Sequence, residues 1–325
     1  MICNFKFHGV GQGLFYTADL ICNEKNVARF IYDCGSDNTQ YLDNAIDAYH
    51  KEQSSNMGKI SVEFLTISHL HRDHVNGLPK LLKFVTPKKI YLPYFDVKTY
   101  EEVFKAYLVC AEITPQSDEY SLMMNWYTDS NQNNVEFIKE TEKTVSLPEW
   151  DFCFFNLQTD NSKYDLLCRE IQRLLSSYDI LSIEEYVEAK RDLKDLKKIF
   201  LSVLGKSYQN ATSLLLLHYA RKNPRTKTLL TGDVPFDSHL ETRVLKHLSG
   251  ATDLILQVPH HGAYVEWNKL PVTIKDKSTD MVISFGLGNK HRHPSAKCVN
   301  DILLLHSKSK LNCAFQGNSY ENRIL

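Results

Sequence analysis

The sequence predicts a layered α/β fold, on three observations. Short apolar segments rich in β-branched and aromatic residues alternate with helix-length segments over residues 1–98; a second series of such strands occupies 206–325; and a group of metal-capable side chains begins where one buried strand ends. Alternating apolar residues over 2–7, 14–21 and 27–32 describe a meander of strands. Gly9, Gly11 and Gly13 punctuate its first turn, so Val10-Gly11-Gln12-Gly13 reads either as a tight hairpin needing positive φ or as a loop that approaches a phosphate. A helix over 42–50 follows, then the buried strand Phe64-Leu65-Thr66-Ile67-Ser68. The pattern next predicts a helix opening over 75–85 and a strand over 89–92.

From 99 to 205 the reading changes to a mainly helical insertion. Residues 101–110 are helical by pattern, 116–134 are polar with aromatic interruptions, and 164–204 read as two helices. Ser182 and Glu185 form a capping box at the start of the second, whose apolar side chains include Ile183, Tyr186, Val187, Leu193, Leu196, Phe200 and Val203. The segment is either a flap packed on the core or a lid or partner surface, the latter admitting a second copy or a different protein. Beyond it, strands are predicted at 214–218, 254–258 and 281–285. Arg221, Lys222, Arg225 and Lys227 read as a solvated hairpin tip, and 286–294 as a loop rich in cations and imidazoles.

At 325 residues, with 43% hydrophobic and 24% charged residues, the chain can bury a sizeable core and has the composition of a globular protein. Its formal net charge of -1 supplies no global basic field, so any contact with nucleic acid needs a local patch. Asn4, Lys6, His8 and Gln12 interrupt the apolar residues of the N-terminus, which therefore lacks the core of a secretory signal, and no apolar run approaches the roughly 18 residues of a membrane span. The eight cysteines are spread singly with no Cys-x-x-Cys pair, which predicts reduced thiols in a cytoplasmic protein rather than a disulfide framework or zinc knot. Cys34 reads as a buried thiol.

The chemistry is concentrated in His69-Leu70-His71-Arg72-Asp73-His74. Extended chain alternates its side chains, so His69 and His71 can face one ion, while Asp73 and His74 lie in the turn beyond, where a second ion could sit. Neutral imidazole and carboxylate suit zinc, and also manganese or iron. One isolated histidine reads as a solvated loop residue; four donors at this spacing read as a metal site.

These residues resemble the His-x-His-x-Asp-His signature of the metallo-β-lactamase superfamily. Tyr32-Asp33-Cys34-Gly35, Thr231-Gly232-Asp233 and Val258-Pro259-His260-His261-Gly262 resemble further motifs of that superfamily, in its order. Within it, Val10 to Gly13, Asn210 to Ser213 and His293-Pro294 are similar to segments of the ComEC-like hydrolase group. The resemblance implies a four-layer αββα sandwich with residues 1–98 and 206–325 as its two halves and metals at one edge between the sheets. It implies two divalent ions, zinc or manganese, with His69 and His71 on the first, Asp73, His74 and His261 on the second, and Asp233 bridging. Asp33 would orient the ligand loop, and His260 would face substrate or support the ligands. The superfamily's third histidine for the first ion is replaced here by the Asn210 to Ser213 segment, which favours manganese as a rival to zinc. His218 lies further along and reads either as a substitute ligand or as a buried strand histidine.

Water held by such ions drops from a pKa of 15.7 to about 7, which makes hydroxide available at neutral pH. The resemblance makes Asp73 the expected proton acceptor, with His260 and His293 as further catalytic candidates; Arg292 and His293 could bind a phosphate or protonate a leaving oxygen, with His291 in the same loop. The expected activity is that of a phosphodiesterase or nuclease. The rivals are hydrolysis of a small ester, lactone or phosphocholine-type diester, and a metal-bearing subunit of a bacterial defence assembly. Specificity is not legible, because substrate-binding loops lie outside the motifs.

Overall fold

The computed structural model describes residues 2–23, 26–53, 58–94, 100–128, 134–139, 142–156, 161–205, 213–234, 244–264, 277–305 and 309–324, together with Asn210 and Ile274. The expected meander is present as β1 (Ile2–Phe7), β2 (Gly13–Asn23) and β3 (Asn26–Ser36), paired antiparallel. After α1 (Thr39–Gln53), β4 (Ile60–Thr66) and β5 (Val85–Pro93) extend the sheet in parallel from β3. Later in the chain β9 (Leu215–Ala220) and β10 (Asn223–Leu230) pair antiparallel, and β11 (Asp253–Gln257), β12 (Ser278–Ser284) and β13 (Ser309–Ala314) add in parallel. Both sheets are thus antiparallel at one end and parallel at the other.

Five helices occupy much of the predicted insertion: α4 (Glu101–Cys110), α5 (Asp118–Thr128), α6 (Asn161–Ser177), α7 (Ile183–Glu188) and α8 (Leu193–Leu204). The same range also carries three strands that the sequence reading missed. β6 (Val135–Ile138) closes the edge of the first sheet beside β5, while β7 (Lys143–Leu147) and β8 (Trp150–Phe155) form an edge hairpin on the second beside β9. The reason is burial: Trp150, Phe152 and Phe154 alternate into the space between the sheets, where Phe152 and Phe154 meet Phe64, Phe154 meets Tyr91 and Trp150 meets His218. The proposed boundary between 98 and 99 lies outside the described residues.

Two local expectations need correction. The helix expected from Val75 is two single turns, α2 (Arg72–Val75) and α3 (Leu78–Leu81), interrupted at Asn76-Gly77. The break follows from close packing: a Cβ on Gly77 would lie 2.7 Å from Cys34 Sγ, and Gly77 N–H donates to the Cys34 carbonyl at 2.9 Å. Residues 164–204 hold parts of three helices rather than two. The capping box is present, with Ser182 accepting from Glu185 N–H and Glu185 accepting from Leu181 N–H, but α7 soon ends. Lys190 then takes φ 51° and Asp192 caps α8. The apolar stripe of α8 is met by its own chain, since Leu196 and Phe200 are buried in the cluster that holds α4 and α6.

Helix α9 (Ala296–Leu305) covers the second sheet, and β14 (Tyr320–Ile324) returns to pair with β1. Strand order is β14-β1-β2-β3-β4-β5-β6 in one seven-stranded sheet and β13-β12-β11-β10-β9-β8-β7 in the other. Three apolar clusters correspond to the three interfaces of four layers: helices on the first sheet, sheet on sheet, and the outer face of the second sheet against α9 and neighbouring turns. This is the αββα sandwich that the metallo-β-lactamase resemblance implies. Among the described residues no helix is long and apolar enough to cross a membrane.

His218 lies in the middle layer and cannot serve as a ligand. Trp150 Nε1–H donates to its Nδ1 at 3.3 Å, which leaves the proton on Nε2, 3.0 Å from the Tyr16 hydroxyl. It is the buried strand histidine of the two readings. His8 is also buried, stacked on Phe15, with Nε2 2.9 Å from Thr17 Oγ1. Burial pulls both histidines from the ordinary 6.5 to about 3, with Lys6 adding to the shift at His8. The unfolded chain therefore binds protons that the folded chain refuses between pH 6.5 and 3, and stability falls with acidification over that window by roughly 1.4 kcal/mol per pH unit for each histidine. Denaturant titrations at pH 7 and pH 5 should show wild type losing about 2 kcal/mol more than His218→Gln. Equal losses would show that His218 is not held neutral.

Candidate metal centre

The site is assembled at the carboxyl ends of neighbouring parallel strands, where chain leaves a sheet and side chains can converge. Asp33 stands one residue from Cys34 near the end of β3, at a bulge in the β2–β3 pairing, where φ is 57°. The bulge re-aims its carboxylate into the interior. There Oδ1 accepts Ser68 N–H at 2.6 Å, while Oδ2 accepts the Ser68 hydroxyl at 2.6 Å and His74 Nδ1–H at 2.8 Å. One buried carboxylate thus fixes the chain between β4 and α2. Gly13 and Gly35 make room for it: a Cβ on Gly13 would lie 2.7 Å from the Asp73 carbonyl, and one on Gly35 2.5 Å from His74 N. The Val10 to Gly13 segment is therefore a tight turn, with Gly11 at φ 92°, and also lies at the site, since Gln12 lines the cleft.

From the second sheet, β10 ends in Thr231-Gly232-Asp233. Buried Gln257 accepts both Thr231 N–H and Gly232 N–H and donates to the Gly232 carbonyl, and Ser213 accepts Asp233 N–H at 3.3 Å. After β11, His260 and His261 both adopt left-handed backbone, with φ 48° and 53°. The adjacent rings consequently point to different places: His261 Nε2 lies 3.3 Å from Asp73 Oδ2, and His260 Nε2 lies 3.8 Å from Asp233 Oδ2.

The tautomers follow from partners that can only accept. His261 Nδ1–H donates to the Ser284 carbonyl at 2.8 Å, His74 Nδ1–H to Asp33, and His69 Nδ1–H to the Ser68 hydroxyl at 3.0 Å, since that hydroxyl's own proton goes to Asp33. Each Nε2 is left with a lone pair. His74 Nε2 nevertheless faces Asp233 Oδ1 at 3.4 Å, and His69 Nε2 lies 3.0 Å from His71 Nδ1 and 3.7 Å from Asp233 Oδ2. His74 Nε2, His261 Nε2 and Asp233 Oδ1 are buried without a hydrogen-bond partner. Lone pairs and carboxylate oxygens that face one another away from water require a cation, either a proton or a metal ion. Among the described residues two donor groups could hold a metal ion, one of His69, His74 and Asp233 and one of Asp73, His74 and His261. Each of His69, His74 and His261 has the opposite ring nitrogen hydrogen-bonded, as metal-binding histidines require, so the residues present fit divalent metal.

Electrostatics point the same way. Burial pushes His69 well below the usual histidine range, so it is a neutral donor. Burial also opposes charge on His74, but Asp233, Asp33 and Asp73 outweigh it and hold His74 well above that range in the absence of another cation. Burial would raise Asp73 and Asp233; nearby histidines, His74 and His261 at Asp73 and chiefly His260 at Asp233, instead hold both below the usual carboxylate range.

A cleft of about 200 Å³ opens over these groups, lined among others by His71, Asp73, Asp233, His260 and His261. The sequence-predicted His69, His71, Asp73, His74, Asp233, His260 and His261 are thus brought together. His293 stands one step back, its ring edge-on to His260 at 5.2 Å between centroids, and Arg292 is exposed. Lys290 and His291 line the cleft instead, with Arg72 and Lys197. Sequence reasoning passed over Asp37, Gln257 and Lys197. Asp37, two residues past Gly35, lines the cleft with its carboxyl raised by burial and by Asp73. A polar residue at the end of an apolar strand was the available signal for Gln257; nothing local marks Lys197, on a helix remote in sequence.

No protein-family model matches the sequence, and no curated protein matches it. Among solved structures the chain is similar to a long form RNase Z from yeast, at TM-score 0.44 and 9% identity, over 98% of this chain and 42% of that one, so it spans less than half of the yeast protein. It is also similar to a diphosphatase of the PhnP family, at TM-score 0.42 and 9% identity over 98% of both chains. Zinc-bound PqqB from Methylobacterium extorquens matches at TM-score 0.45 and 9% identity, over 98% of this chain and 99% of that one.

Two outcomes are expected at this centre. Asp33→Asn cannot accept from Ser68 and His74 together, so metal affinity measured by chelator competition should fall about 10–100-fold. Metal binding must also displace the proton that the carboxylates hold on His74, so affinity should rise with pH below that raised pKa by up to about tenfold per unit. Calorimetry at pH 7 in buffers of different ionisation enthalpy should register proton release; an unchanged heat across buffers would contradict the assignment.

Proposed function

We propose that the protein is a dinuclear metal-dependent hydrolase acting on phosphodiesters, with His69, His71, Asp73, His74, Asp233 and His261 holding zinc or manganese. The reading is carried by the buried, mutually opposed donor atoms of His74, His261 and Asp233, which have no other partner. Divalent ions bound there supply the positive charge that makes water acidic near neutral pH and that counters charge on a phosphodiester. The chain's own residues do the rest. Asp73, ionised and open to the cleft, accepts a hydrogen bond from the attacking water and orients it. Arg72, Lys197 and Lys290 line the cleft alongside Asp37 and Glu112 and are the cations that an anionic substrate would meet there.

Lys197 belongs to α8, and Cys110, Ala111 and Glu112 at the end of α4 line the same cleft. These contacts support a role for the helical layer in restricting access to the site. Lys197→Glu should retain full metal content and raise KM about three- to tenfold for single-stranded nucleic acid, with a smaller effect on bis-p-nitrophenyl phosphate.

The reading is tested by incubating the purified protein with manganese or zinc against single-stranded DNA, duplex DNA, RNA, a cyclic dinucleotide, bis-p-nitrophenyl phosphate and a lactone panel. Cleavage of a phosphodiester, abolished by chelator, restored by manganese at least as well as by zinc, and lost with bound metal in His71→Ala, is the expected result. Lactone turnover without attack on any phosphodiester would replace the substrate class, and equal metal content in wild type and His71→Ala would remove His71 from the site.

A further inference from the structure

We propose that His260 is the third nitrogen ligand of the ion held by His69 and His71, in place of the histidine that the chain lacks at the Asn210 to Ser213 segment. The proposal rests on the two-ion reading above. His260 Nε2 and His69 Nε2 address the same oxygen, Asp233 Oδ2, at 3.8 and 3.7 Å, and His71 Nδ1 lies 3.0 Å from His69 Nε2. Two imidazoles therefore address one end of the Asp233 carboxylate, and His71 joins them through its contact with His69. The other oxygen, Oδ1, faces His74 at 3.4 Å, and His261 faces Asp73 at 3.3 Å. Asp233 divides the donors into two sets, and His260 falls in the first.

The local backbone supports this division. Two successive histidines in left-handed conformation are unfavourable for residues with side chains, and here they place the neighbouring rings 6.1 Å apart on different sets of donors. The His260 N–H is tied to the Gly232 carbonyl at 3.3 Å, next to Asp233 in sequence. The Asn210 side-chain amide lies 3.0 Å from His260 Nδ1. A carboxamide can turn its oxygen to that nitrogen; it then accepts Nδ1–H and leaves the Nε2 lone pair directed at the ion. Asn210 would thus orient the replacement ligand rather than bind metal itself.

The test uses His260→Gly, which removes the ring while suiting the left-handed backbone, with Asn210→Leu as the second variant. Metal content and cobalt(II) absorption are read, so that no turnover is needed. Wild type should hold two ions. His260→Gly should hold one tightly and bind the other at least about tenfold more weakly, with an altered cobalt spectrum that added imidazole restores, and Asn210→Leu should weaken the same ion. If His260→Gly binds two ions with wild-type affinity and spectrum, the proposal is overturned and His260 serves substrate instead. If wild type binds no ion, the two-ion reading has failed with it; if wild type binds two and only this variant matches it, that reading stands alone.

Discussion

The Asp33 carboxylate is the constraint on which the rest of the site depends. A fully buried carboxylate is tolerable only when its oxygens are satisfied, and Asp33 takes three hydrogen bonds from two residues of the ligand loop. Its burial raises its pKa, and the contacts with His74 and Ser68 that fix the loop oppose that rise. The bulge that aims it also brings Cys34 and Gly35 against α2, where a side chain larger than hydrogen at Gly35 or Gly77 would strike neighbouring atoms. Cys34 itself is a packing thiol, buried and shifted upward, rather than a reactive one.

The second half of the chain contributes through a different device. Asp233 and the two histidines sit on turns whose backbone is pinned by buried side chains, Gln257 at Gly232 and Ser213 at Asp233. The halves are then tied directly, by the Ser284 hydroxyl on the Gly13 carbonyl and by Gly286 N–H on Gln12. Ser284 also accepts from His261 through its own carbonyl, so a single residue at the end of β12 sets both the register of the halves and the tautomer of a metal-facing ring. Such support is what allows lone pairs to be held in opposition until a cation arrives.

The helical layer is continuous with the core of the first sheet. Tyr164, Leu167, Ile171, Ile183, Tyr186, Leu196 and Phe200 share one buried cluster with residues of α1, β4 and β5, so α6 to α8 are structural as well as adjacent to the cleft. That burial explains why a regular apolar spacing on α8 does not advertise a partner. Its polar edge, carrying Lys197, is the part that meets the site.

The sequence by itself carried the α/β layering, and its resemblance to a known superfamily implied the sandwich and the proposed donors. Period-two alternation reports which strand face is buried whatever the strand pairs with, and a dense run such as His69 to His74 is informative at short range. What it could not supply was anything that depends on residues distant in sequence meeting in space. Strands β6 to β8 were lost among helices because short edge strands take their register from the sheets they join. The break at Gly77 depends on Cys34, the neutrality of His218 on burial between the sheets, and one of the cleft's cations on a lysine from α8. The two left-handed histidines make the point most sharply: the sequence separates their roles, His261 on metal and His260 toward substrate or supporting the ligands, but only the backbone conformation, with contacts at Gly232 and Ser284, shows His260 beside Asp233 and His261 beside Asp73.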